Sequence, residues 1–98
     1  MKYLYNSRNK TIRGLGRYSE EIDLTIYESR LIEVLSNERV NNYYEIEKYV
    51  FGENNKHDKD FRHSNLRVVK CNLFHKLNIR IKNIRGRGYM LLDEIYIT

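Results

Sequence analysis

The stretch NIRGRGYML, Asn83–Leu91, places two arginines and two glycines in four consecutive positions and then turns at once to tyrosine and apolar residues. Glycine removes the steric bar on positive φ, so Gly86 and Gly88 read as the bend of a hairpin. The runs on either side, Asn78 to Ile84 and Tyr89 to Leu92, are rich in Ile, Leu and Tyr and suit strands. The expectation is a two-stranded ribbon with Arg85 and Arg87 at its tip, and the fold turns on what lies before it.

Immediately upstream, Leu66, Val69, Leu73 and Leu77 recur at steps of three and four, which marks the buried stripe of a helix. Asp60 is the expected N-cap of that helix, and Leu77 its last residue. Its remaining faces carry Arg62, His63, Arg67, Lys70, Cys71, Asn72 and Lys76. Arg and Lys suit phosphates, and Arg and Asn suit base edges, so this is the chemistry of a helix that enters a DNA groove. A merely solvated face is the plainer reading, but the basic ribbon that follows weighs against it.

Before this helix the polar segment GENNKHDKD, Gly52–Asp60, reads as a loop. A second helix is expected over YYEIEKYVF, capped by Asn41 or Asn42 and ended by Gly52, with Ile46, Tyr49 and Val50 inward. The first helix lies in LTIYESRLIEVL, where Thr25 and Glu28 form a capping box and Ile26, Leu31, Ile32, Val34 and Leu35 share a face. Val40 is expected to add a brief strand. Further back, KYLYN (Lys2–Asn6), KTI and EEIDL (Glu20–Leu24) read as short strands, with Ile22 and Leu24 on the buried side and RGLGRY (Arg13–Tyr18) as a turn. The chain is thus α+β: an N-terminal antiparallel sheet over 1–24, three helices within 25–77, a wing over 78–92 and a C-terminal tail over 93–98.

The bulk numbers agree with one small domain. Ninety-eight residues with 41% hydrophobic content support a single modest core. There is no apolar run of membrane-spanning length and no leader-like segment, and one cysteine cannot form an internal disulfide, so a cytoplasmic protein is expected. The net charge of +5 is unevenly spread. Residues 1–18 hold five bases and no acid, 19–53 nine acids against three bases, and 54–98 ten bases against four acids. Such segregation is the electrostatic footprint of a polyanion-binding protein with an acidic part turned away.

The order sheet, helix, helix, loop, basic helix, basic hairpin resembles the winged-helix DNA-binding domain of OmpR/PhoB-type bacterial response regulators. LTIYESRLIEVL is similar to that family's LT-x-x-E-[FY]-x-L-L-x-x-L first helix, and EIEKYVFGE to its L-L-x-x-V-W-G second helix, with Phe51 where tryptophan is usual. IKNIRGRGYML follows its wing, I-x-T-V-R-G-x-G-Y-R-[LF], nearly residue for residue. The resemblance covers roughly residues 19–92. It implies a sequence-specific double-stranded DNA-binding regulator of transcription, with the third helix in the major groove and the wing on the backbone or in the minor groove. It also implies tandem copies on AT-rich direct repeats, a homodimer formed on DNA, and a contact with RNA polymerase through the Gly52–Asp60 loop.

Three departures stand out. No receiver domain precedes this one, so a start at Met1 implies a stand-alone regulator without phosphorylation input. The wing arginine after Gly-Tyr is Met90, leaving Arg87 to act from inside the turn. The family's H-I-x-R-L-R-x-K-L is VKCNLFHKL, Val69–Leu77, with Asn72 and Phe74 where arginines are common. A relative that kept the fold as a protein-interaction module, without DNA binding, is therefore the rival reading.

Other chemistry fits poorly. His63, Cys71, His75 and His57 lack the paired close spacings of a structural zinc site, so no metal is expected. Cys71 and His75 lie i, i+4, but nothing supplies an orienting acid or an oxyanion site. The glycine pairs at 14/16 and 86/88 lack the surroundings of a phosphate loop. No enzyme and no cofactor are expected, and most of the nine tyrosines suit packing better than base stacking.

Overall fold

Thr25 decides where the first helix begins. The Glu28 amide donates to Thr25 Oγ1 (3.2 Å) and the Thr25 amide to Glu28 Oε1 (2.8 Å), so two orphan donors are satisfied reciprocally. The computed structural model describes residues 2–16, 20–52 and 59–98, with side chains in the last range described from 65 onward. From Thr25 runs α1, Ile26–Leu35. Leu31, Ile32 and Leu35 are fully buried, whereas Ile26, expected on the same face, is exposed because it occupies the first turn beyond the core.

Asn42 accepts from the Glu45 amide (2.8 Å) and opens α2, Tyr43–Phe51, which Gly52 closes. Ile46 and Val50 are buried; Tyr49 is not, and its hydroxyl reaches Glu33 of α1 at 2.8 Å. The third helix, α3, is Lys59–Leu77, so Asp60, the expected cap, lies inside it. Leu66, Val69 and Leu73 form its core stripe. It stops where Asn78 turns left-handed (φ 55) and donates its amide to the Phe74 carbonyl, an end for which asparagine is suited.

Two sheets frame the helices. The strands are β1 (Lys2–Asn6), β2 (Thr11–Gly14), β3 (Ile22–Asp23), β4 (Asn41–Asn42), β5 (Ile81–Ile84), β6 (Gly88–Leu91) and β7 (Glu94–Ile97). One sheet runs β3-β2-β1-β7 and the other β4-β6-β5. Two sequence expectations change here. Arg13 and Gly14 belong to β2, because the ladder with β1 continues to Tyr3↔Gly14 and the turn starts only afterwards. Residues 93–98 are no tail: Glu94–Ile97 is a strand pairing parallel with β1, from Lys2↔Glu94 to Tyr5↔Ile97.

Tyr3 and Tyr5 fill the space between this sheet and the helices, and Ile12 from β2 joins them. The Tyr5 hydroxyl donates to Glu33 Oε1 (2.5 Å), which also takes the Lys10 ammonium (3.2 Å). Burial pushes the Glu33 carboxyl up, but its hydroxyl and ammonium partners outweigh that and hold it below the ordinary carboxylate value. One glutamate thereby ties the N-terminal sheet and α2 to α1.

Candidate nucleic-acid interface

The wing is built by β5, β6 and the turn between them. Arg87 donates its amide to the Ile84 carbonyl (2.9 Å), and Gly86 takes φ 78, so the bend rests on one glycine. Gly88 has another task. It lies in β6, buried against β4, where an added Cβ would meet the Asn41 carbonyl oxygen at 1.7 Å. The turn thus uses Gly86 for its conformation, and Gly88 admits the third strand. The expected strand near Val40 is β4, one residue later, pairing Asn41↔Tyr89 and Asn42↔Gly88. Tyr43 steadies the arrangement from α2: its ring meets Tyr89 edge-on at 5.3 Å and its hydroxyl donates to Asn83 Oδ1. With its base fixed on both sides, the wing holds Arg85, Gly86 and Arg87 out in solvent.

The third helix meets the wing through Lys70, whose ammonium stands 4.8 Å over the Tyr89 ring. Burial pushes the Tyr89 phenol above its ordinary value, so the ring stays neutral beneath that cation. Arg67, one turn before Lys70, and Cys71, directly after it, are both exposed and share this flank at i, i+3, i+4 spacing, and Phe74 continues it. Arg67, Lys70 and Cys71 are therefore brought together on the side of α3 that adjoins the wing.

Asn72 and Lys76 lie elsewhere. The Lys76 ammonium pairs with Glu28 Oε1 at 2.7 Å, which turns that flank of α3 towards α1, and Asn72 sits one turn before it, exposed. Burial pushes the Glu28 carboxyl up, and the Lys76 ammonium with the Thr25 cap outweighs it, holding the group below its usual range. Lys76, expected to hold a phosphate, is engaged by a buried carboxylate instead. The side chains of Arg62 and His63 and most of the Gly52–Asp60 loop lie outside the described residues.

Sequence reasoning passed over two cations. Lys82 is exposed on β5. Arg80 precedes it, with Nε and Nη2 on Asp93 Oδ1 (3.1 and 2.8 Å) while its own amide donates to Asp93 Oδ2 (2.8 Å). Burial pushes the Asp93 carboxyl up, but Arg80 outweighs it and keeps it low. No local signal marks this pair, because thirteen positions separate its members and the sequence pattern reads Asp93 as the start of a tail.

A groove of about 480 Å³ opens between α3 and the base of the wing. Phe74 (51% exposed) lines it from α3, Ile81 and Leu92 (46% exposed) line it from the wing, and Arg67, Lys70 and Arg80 contribute to its lining. Met90, by contrast, is half-buried in β6. Among the described residues no cluster of three or more His, Cys, Asp or Glu is placed to hold a metal, and no helix is long and apolar enough to cross a membrane.

No family model matches the chain, and no curated protein sequence matches it. Solved structures do. The DNA-binding domain of the response regulator AdeR, in complex with an intercistronic region, matches with a TM-score of 0.68 at 18% identity, covering 89% of this chain and 90% of that one. The C-terminal domain of the nisin resistance regulator NsrR matches with a TM-score of 0.62 at 16% identity, over 87% and 86%. The DNA-binding domain of E. coli CadC matches with a TM-score of 0.64 at 15% identity, over 88% and 81%. With TM-scores from 0.62 to 0.68 the chain shares the fold of all three, and its sheets, three helices and closing hairpin make that fold a winged helix of the OmpR/PhoB type.

Proposed function

We propose that the chain is a double-stranded DNA-binding regulator of transcription, with α3 in the major groove and the wing on the neighbouring backbone or minor groove. One observation carries the reading: Lys70 over Tyr89 joins the cationic flank of α3 to the wing sheet, whose tip exposes Arg85 and Arg87. Arg67 and Cys71 would face base edges, Lys70 and Lys82 the phosphates, and Arg87 the minor groove, whose potential over A·T tracts favours arginine. Asn72 would contribute only at the margin of this surface, and Lys76 is left out of it. Arg62 and His63, ahead on the same helix, would add phosphate contacts. Two of the three structural neighbours, those of AdeR and CadC, are DNA-binding domains, the third is the C-terminal domain of a response regulator, and the AdeR domain is seen in complex with an intercistronic region. Occupancy of direct repeats as a head-to-tail pair, and a polymerase contact through Gly52–Asp60, belong to the same proposal.

Selection from a random duplex pool at two salt concentrations tests it. An enriched direct repeat is expected, and with about five phosphates engaged the slope of log K against log salt should lie near −4 to −5. The second reading, a protein-interaction module, is favoured by the exposure of Phe74 and Leu92. It would gain if no duplex were retained even at low salt.

A further inference from the structure

We infer that the groove between α3 and the base of the wing is a binding site for a small amphipathic carboxylate, one apolar chain with a single anionic head, free in solution. The volume, about 480 Å³, lies within the range of small-molecule sites. Its walls are mostly apolar carbon: Phe74 on one side, Ile81 and Leu92 on the other, with buried Ile79 at the floor. Its charged lining is all of one sign. Arg67 and Lys70 enter from α3 and Arg80 from the start of the wing, and among the described residues no acid lines the space.

Arg80 matters most for the chemistry. Asp93, 1% exposed, takes its Nε and Nη2, so the guanidinium is held in place with its other N–H groups free of that carboxylate. A pre-positioned guanidinium beside an apolar slot selects a carboxylate head with a hydrocarbon body. A cationic or neutral amphiphile would bury the same tail without meeting Arg67, Lys70 or the N–H groups of Arg80 that Asp93 leaves over.

Where the ligand sits gives it a consequence, which rests on the DNA-binding reading. It would occupy the angle between α3 and the wing and neutralise Arg67 and Lys70, two groups that reading assigns to DNA. Bound ligand and bound duplex would then oppose one another, each lowering the affinity of the other by the same factor.

Cys71, the chain's one cysteine, is exposed and lines the groove, and so reports on occupancy. The rate at which iodoacetamide alkylates Cys71 is measured by mass spectrometry with decanoate, or with decyltrimethylammonium, each below its micelle concentration. Saturable protection by decanoate alone is expected. The variant Leu92→Glu, at an exposed position, sets a like charge beside the head group and should weaken decanoate at least about tenfold, while Leu92→Gln retains protection. No protection, or equal protection by both amphiphiles, overturns the site. In a second arm, saturating decanoate should lower affinity for the selected duplex about tenfold. Protection without that loss overturns the regulatory half. A protein that retains no duplex at any salt ends the DNA reading, and the thiol measurement then decides the groove alone.

Discussion

Gly88 is the residue on which the wing sheet depends. Any side chain there collides with the backbone of Asn41, and backbone cannot move aside as a flexible side chain can. Gly88→Ala should therefore cost about 2–3 kcal/mol and free β4 from β6, read as a lower urea midpoint and lost amide protection at Asn41 and Tyr89. Gly86→Ala is instead strained by its φ of 78, since nothing lies within 4 Å of the added carbon. In the sequence the two glycines look alike. The difference arises from a strand forty-seven residues away, and no local pattern carries it. Lys76 poses the same difficulty: its spacing marks it as exposed, but Glu28 receives it. Glu28 has a lowered folded-state value, so its contribution is complete above the ordinary carboxylate range and lost as pH falls through the folded value. Lys76→Met should cost roughly 1–3 kcal/mol at pH 7, and the gap from wild type should narrow towards pH 3 as Glu28 takes up a proton. Urea unfolding at the two pH values checks this, and an unchanged gap would refute the pairing.

At the level of elements, what could be read early was whatever local chemistry determines. Thr25 and Glu28 announce α1 because a capping box is a contact within one turn, and the α3 stripe follows from periodicity alone. The ends were less legible. β2 runs past Arg13 because β1 continues to pair with it, and β7 forms because β1 has a second edge to offer. Half of the candidate site was foreseen in the same sense. Periodicity gathered Arg67, Lys70 and Cys71, but could not tell that Lys76 is taken up by Glu28 of α1, nor that Arg80 and Leu92 complete a groove. The wing carries the prediction for this scale. Arg87→Ala should weaken duplex binding and reduce the magnitude of the salt slope by about 1, while Lys76→Met leaves that slope unaltered. Fluorescence anisotropy titrations across salt check both, and an unchanged slope for Arg87→Ala would remove the wing from the interface.

For the molecule as a whole, the decisive arrangement is the order β3-β2-β1-β7, which fastens one end of the described chain to the other. The Thr98 amide donates to the Tyr5 carbonyl (2.9 Å) and Ser7 Oγ to the Thr98 carbonyl (2.8 Å), so the clamp extends beyond the strand. Asp93 stands where the chain leaves the wing for this sheet, and its grip on Arg80 sets the two sheets at a fixed distance along the backbone. Removing residues 94–98 should uncover Tyr3 and Tyr5, lower the thermal midpoint by several degrees and broaden the transition. Calorimetry of the shortened chain checks it, and a midpoint equal to that of the full chain would show that the parallel pairing is dispensable.

The parallel pairing of β1 with β7 also orders events in time. β1 leaves the ribosome first among the strands and β7 last, and the contact between them spans nearly the whole sequence. Pairings of such high contact order form late, after the loop-closure entropy has been met by shorter-range contacts. During synthesis the helices can assemble on β1 and β2, but the edge of β1 stays bare until β7 has emerged. A nascent chain would carry its basic helix before it had a finished domain to hold it, and maturation would coincide with the closing of that last seam.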